Sequence, residues 1–217
     1  MRWLRRHADA PSVLAGEPRA ARRAAWLTGQ SAWTHSALSA GQQAVLDDLA
    51  ADGWAPVRLG FPWTTTARPG PGGGRRPALP VASVRNAAQH LAARPGGAFA
   101  HQVARHLQPL LDATDHRLLL LCGSTGAQML GAAAPLLRVP EGLAVQVVAL
   151  GPVGRPPASG GPWDVRVVRG DRDRISRWGY RGPVDVHVPG AHLDAATGPA
   201  ARAAVRRLAA DARAVRP

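Results

Sequence analysis

The chain has 217 residues, 46% of them hydrophobic, enough for one domain with a buried core. The formal charge is +13, but no Lys is present, Ile175 is the only isoleucine and Asn86 the only asparagine. Abundant Ala, Gly, Pro and Arg share GC-rich codons, so the basic balance follows composition. The Arg residues are scattered, in pairs such as Arg5/Arg6, Arg22/Arg23, Arg75/Arg76 and Arg206/Arg207, with no basic-aromatic face, which argues against a nucleic-acid partner.

A single cysteine, Cys122, rules out an internal disulfide and a cysteine-based zinc cluster. No stretch approaches a membrane span, and the basic N-terminus lacks a continuous apolar segment of the secretory kind. The expectation is a cytoplasmic protein with no metal or organic cofactor.

Residues 1–22 read as a loosely attached extension, because Pro, Gly and Arg dominate and no period emerges. A short apolar strand follows at 24–28, then the loop GQSAWTHSA. Residues 39–52 predict a helix, capped by Ser39, striped by Val45, Leu46 and Leu49, and ended by Gly53. The next strand, 56–60, opens into Phe61-Pro62-Trp63. Residues 64–80 are a Pro/Gly loop whose composition cannot pack. Two helical pieces, 81–93 and 98–113, are broken by Arg94-Pro95-Gly96-Gly97.

The most informative segment is 118–126, LLLLCGSTG. The strand 117–122 runs into a small-x-Ser-x-Gly turn, and the helix 127–137 starts at once. Such a turn lifts one Ser hydroxyl above the sheet edge and requires small neighbours two residues either side, here Cys122 and Gly126. Strands at 143–150, 163–169 and 184–188 follow. A Gly/Pro linker, 151–162, separates the first two, and a helix at 199–214 closes the chain. Strands alternating with helices predict an α/β fold, an about six-stranded, mainly parallel sheet with helices on both faces and no cap domain.

Every candidate for chemistry falls at a strand's carboxyl end, where open α/β sheets bind ligands. Ser124 is the candidate nucleophile. A nucleophilic Ser needs a His base, and the His needs an acid to hold its tautomer. Asp173 or Asp171, in the turn after the strand 163–169, supplies the acid. His192, just after the last strand, is the base, with His187 inside that strand as the alternative. Two backbone amides must face the developing oxyanion; Thr125 and Gln30 are placed to provide them. Trp33, Trp63 and Trp178 lie on loops at the same edge and are candidates for the walls of an acyl pocket.

The elbow at 122–126, the Gly-x-x-Asp turn at 170–173 and the Pro-Gly-x-His turn at 189–192 resemble the α/β-hydrolase superfamily over about residues 24–214. The resemblance implies Ser124, Asp173 and His192 as nucleophile, acid and base, and Gln30 as the first oxyanion donor. Thr28 and Cys122 stand where many members carry His and Gly, and antiparallel strands at the N-terminal edge are not evident, which suggests a minimal member. The family's lid, where present, follows the strand placed at 143–150; only the Gly/Pro linker 151–162 stands there, so the resemblance implies a lidless cleft. Its expected substrate is a small-molecule ester or thioester of a small to medium acyl group. A fold does not guarantee its chemistry, so the alternative is a catalytically silent domain that binds a ligand or partner.

Overall fold

The computed structural model describes residues 10–29, 32, 35–68 and 79–211. Its centre is set by strands that are apolar on both faces. In β3 (Thr114–Gly123), Leu118, Leu120 and Cys122 pack into one core cluster while Leu119 and Leu121 pack into a second. The same division runs through β1 (Ala20–Thr28), where Ala25 and Leu27 face the first cluster and Ala24 and Trp26 the second. β4 (Ala144–Leu150) repeats it, with Val145, Val147 and Ala149 on one side and Val148 and Leu150 on the other. A strand buried on both faces reads as a continuous apolar run and belongs in a parallel sheet covered by helices.

With β2 (Ala55–Pro56), β5 (Trp163–Gly170) and β6 (Val186–Val188), the strands form a six-stranded sheet in the order β2-β1-β3-β4-β5-β6, and every pairing is parallel. This is the expected α/β architecture, consistent with an α/β-hydrolase-like fold. α1 (Ala40–Ala51), α6 (Asp194–Thr197) and α7 (Pro199–Ala210) contribute buried residues to the second cluster. α3 (Ala98–Asp112) and α4 (Gly126–Ala133) contribute to the first. α2 (Leu79–Ala92) and the short α5 (Arg174–Gly179) lie at the sheet's carboxyl edge region, before β3 and after β5 in the chain. No helix among the described residues is long and apolar enough to cross a membrane.

Several element boundaries differ from the sequence expectation. β1 begins at Ala20 and takes in residues assigned to the extension. Further upstream, Leu14 is buried and the Val13 N–H donates to the Trp63 carbonyl at 2.8 Å. β2 is limited to two residues, because after Val57 donates to the Ala24 carbonyl the chain leaves β1, and Gly60 N–H bonds Ser36 O instead. Within the expected loop 64–80, Thr65–Ala67 forms a 3₁₀ turn with Ala67 fully buried, and α2 starts at Leu79. The expected helix 127–137 ends as α4 at Ala133 and tightens into a 3₁₀ turn, Ala134–Leu136. Residues 151–162 contain no helix, as their composition predicts.

At the opposite, amino edge, arginines serve as structure. The Arg22 and Arg117 guanidiniums sit 4.4 and 5.1 Å from the centre of the Trp54 ring. Arg202 and Arg206 on α7 make paired hydrogen bonds of 2.7–2.8 Å to Asp48 on α1 and Asp52 at its C-terminal cap. These arginines hold both carboxyls below the usual carboxylate range.

Candidate functional site

β1 lies between β2 and β3, so the chain steps to one side of β1 and then returns to the other. Ligands of open α/β sheets bind at such a switch point, outside the strand ends. A cleft of about 530 Å³ opens there, between Thr28 and Gly29 at the end of β1 and Gly123 and Ser124 at the end of β3. That volume suits a small ligand.

Ser124 sits in the left-handed backbone region at φ 52°, which non-glycine residues rarely adopt. The surroundings hold it there. Its N–H donates to Leu150 O at 3.1 Å, and its carbonyl accepts from Val153 N–H at 3.0 Å and Ala127 N–H at 3.3 Å. At Gly126 a Cβ would lie 2.0 Å from the Leu27 carbonyl oxygen, so the turn takes no side chain there. Cys122, two residues before Ser124, is accommodated because its side chain points into the core. Burial pushes its thiol pKa upward, which leaves it a neutral packing group.

Asp173 ends the turn after β5 and is fully buried. Its Oδ1 accepts the Ser176 N–H at 2.8 Å, which caps α5. His192 follows β6. Its Nδ1 lies 2.9 Å from Asp173 Oδ2 and 3.0 Å from Oδ1, and its Nε2 lies 3.1 Å from Ser124 Oγ. An ionised carboxylate only accepts, so Nδ1 carries the ring proton and Nε2 accepts from the Ser124 hydroxyl. Three strand ends thus deliver one continuous hydrogen-bond chain from Ser124 through His192 to Asp173. A hydroxyl held this way can pass its proton to the ring as the oxygen attacks an electrophile.

Asp171, the other acid in the turn, does a different job: its Oδ1 accepts the Gly190 N–H at 2.8 Å, and its side chain is mostly exposed. His187 is exposed on β6, opposite Arg169 in the strand register. Gly151, at φ 53°, passes beneath the Asp173–His192 contact, where a Cβ would lie 2.8 Å from Asp173 Oδ2.

Thr125 is buried in the elbow. The hydrogen bonds that hold the turn use the amides of Ser124 and Ala127 and leave the Thr125 amide uncommitted among the described residues. Gln30 and Trp33 lie outside the described residues. Neither of the other two tryptophans lines the cleft, which corrects the expected pocket. Trp63 is fully buried; its left-handed backbone, φ 54°, turns the indole into the core, edge-on to Phe61 at 5.4 Å. Trp178 is 82% exposed on α5, whose inward face is formed by Ser176. The apolar walls come instead from Trp26, Leu38, Phe61, Leu150 and Leu193.

Two residues near the elbow have no counterpart in the sequence reasoning. Asn86 on α2 lines the cleft, and His90, one turn on, places Nδ1 3.4 Å from Thr125 Oγ1. Their i, i+4 spacing puts them on one helix face, but nothing in the sequence indicates that this face meets the elbow. No family model and no curated protein matches the chain.

Proposed function

We propose that the protein is a serine hydrolase of the α/β-hydrolase kind, cleaving an ester or thioester of a small to medium acyl group. In this reading Ser124 Oγ attacks the acyl carbonyl while His192 Nε2 takes its proton. The tetrahedral intermediate collapses, the protonated alcohol or thiol leaves, and an acyl-Ser124 ester remains. Water then attacks that ester, His192 again accepting a proton, and the acid is released. Asp173 holds the tautomer and stabilises the imidazolium. The Thr125 amide serves the oxyanion, with Gln30, outside the described residues, as the expected second donor.

The observation that carries the proposal is the left-handed Ser124 with its hydroxyl 3.1 Å from His192 Nε2, whose other ring nitrogen meets a fully buried carboxylate. The volume of the cleft and the absence of a helix in residues 151–162 support an accessible, modest acyl site. The test is intact-mass labelling by a fluorophosphonate, in which Ser124 Oγ bonds phosphorus, fluoride leaves and His192 takes the hydroxyl proton. One adduct on the wild type and none on Ser124→Ala is the expected result, with p-nitrophenyl ester turnover lost in the same variant. A folded wild type that takes no adduct refutes the proposal.

A further inference from the structure

Asn86 lines the cleft beside Gly29, Gly123 and Ser124. Built onto Gly29, a Cβ would lie 2.6 Å from Asn86 Oδ1 and 2.6 Å from the Thr125 methyl. Asn86 Oδ1 and the Thr125 methyl therefore both border the space above Gly29, where the loop after β1 meets the residue after Ser124, the two segments assigned to the oxyanion amides. His90 against Thr125 Oγ1 and Gln128 Nε2 donating to Ala93 O at 2.7 Å pin this part of α2 and the turn that follows it to the elbow.

Asn86 Oδ1 is also buried with no hydrogen-bond partner among the described residues. A buried, unpaired acceptor destabilises a folded protein and calls for an explanation. Packing supplies none, since an apolar side chain would fill the space without that penalty. With Oδ1 turned inward against Gly29, Nδ2, a two-proton donor, is the polar atom of Asn86 left to the cleft that the residue lines.

We propose that Asn86 is a catalytic residue, a side-chain hydrogen-bond donor that supplements the backbone amides at the oxyanion. The inference rests on the serine-hydrolase reading above. A preorganised donor of this kind contributes about 10²- to 10³-fold to the rate, because it acts on charge present only in the transition state.

The test compares fluorophosphonate labelling rates and ester kinetics for the wild type, Asn86→Ala and Asn86→Asp, with thermal unfolding recorded on each. Asp matches Asn in shape but presents an ionised acceptor. Both variants are expected to label and turn over about 100-fold more slowly, with KM within about 3-fold of the wild type, and a peptide-boronate inhibitor should weaken in parallel. An Asn86→Asp variant as active as a wild type that does label would overturn the assignment while leaving the hydrolase standing. Slow turnover explained by a raised KM or by unfolding would also overturn it. A folded wild type that does not label would remove both readings together.

Discussion

The elbow makes its strongest quantitative demand at Gly126, and Gly126→Ala tests it. An alanine Cβ there would lie 2.0 Å from the Leu27 carbonyl oxygen and 2.8 Å from its carbon. Both atoms are backbone, in the middle of the sheet, and cannot rotate away. To bring that contact to about 3 Å, the start of α4 must move from β1 by about 1 Å, against a close-packed interior. Overpacking of this kind costs about 1–3 kcal/mol, and the rigid partner puts this case at the upper end. Alanine regains about 1 kcal/mol through helix propensity, which leaves a net loss of about 2 kcal/mol. The displacement also moves Ser124 Oγ from its 3.1 Å contact with His192. A misplacement of about 1 Å can reduce turnover about 100-fold.

Gly123→Ala is the matched control. Its Cβ would meet the Thr28 side-chain methyl at 2.9 Å, a group that can give way. Urea denaturation should therefore show a loss of about 2 kcal/mol for Gly126→Ala and under about 1 kcal/mol for Gly123→Ala, with m-values unchanged. Fluorophosphonate labelling should slow markedly only in the first variant. A Gly126→Ala protein as stable and as reactive as the wild type would refute the argument that backbone proximity shapes this turn.

The two acids of the β5 turn should separate cleanly. Asp173→Asn leaves a group of the same shape but favours the wrong His192 tautomer, and kcat should fall about 10⁴-fold with the fold intact. Asp171→Asn keeps an acceptor for the Gly190 N–H and should change kcat less than about 10-fold; equal losses in both variants would contradict the assignment. At the far edge, Arg202 lowers the Asp48 pKa in the folded protein, chiefly through its hydrogen bonds. A depressed folded-state value means that ionised Asp48 stabilises the fold above the ordinary carboxylate pKa, near pH 4, and that this contribution fades as pH falls through the lower folded-state value. Asp48→Asn should thus be less stable than the wild type at pH 7, and the two denaturation midpoints should draw together as the pH falls from about 4 through that lower value. A constant gap across that range would argue against the linkage.

The parts of the molecule legible in its sequence are those whose signal is local and strong. β3 and β4 are apolar on both faces, so their residues could belong only inside a parallel sheet, and Ser124 follows from the small residues crowding the turn after β3. The turn itself offers both Asp171 and Asp173, and only the family resemblance points to Asp173; in three dimensions the two separate, since only the buried one meets His192. Arg22 and Arg23 concealed the first half of β1, because adjacent charges read as surface. In the structure Arg23 is 4% exposed, its guanidinium hydrogen-bonding the Pro18 and Ala113 carbonyls, while Arg22 covers Trp54. α5 and α6 span six and four residues, too few for a period to register. Trp63 illustrates the converse error: an aromatic residue in a Pro-containing loop read as a cleft wall, yet its left-handed backbone directs the ring into the core.

The placement of strain follows the same division of labour. A non-glycine residue held in a sparsely populated backbone region costs about 1–3 kcal/mol and persists only where neighbours over-determine it. Ser124 is held by hydrogen bonds to Leu150, Val153 and Ala127 and by the close pass of Gly126 against Leu27. None of these constraints involves His192 or Asp173. The conformation that raises the hydroxyl therefore belongs to the sheet and α4, while the groups that activate it arrive independently from β5 and the turn after β6. Removing a side chain of the hydrogen-bond chain should silence the chemistry without releasing the turn. Adding a methyl group at Gly126 should release the turn with every reacting group still present.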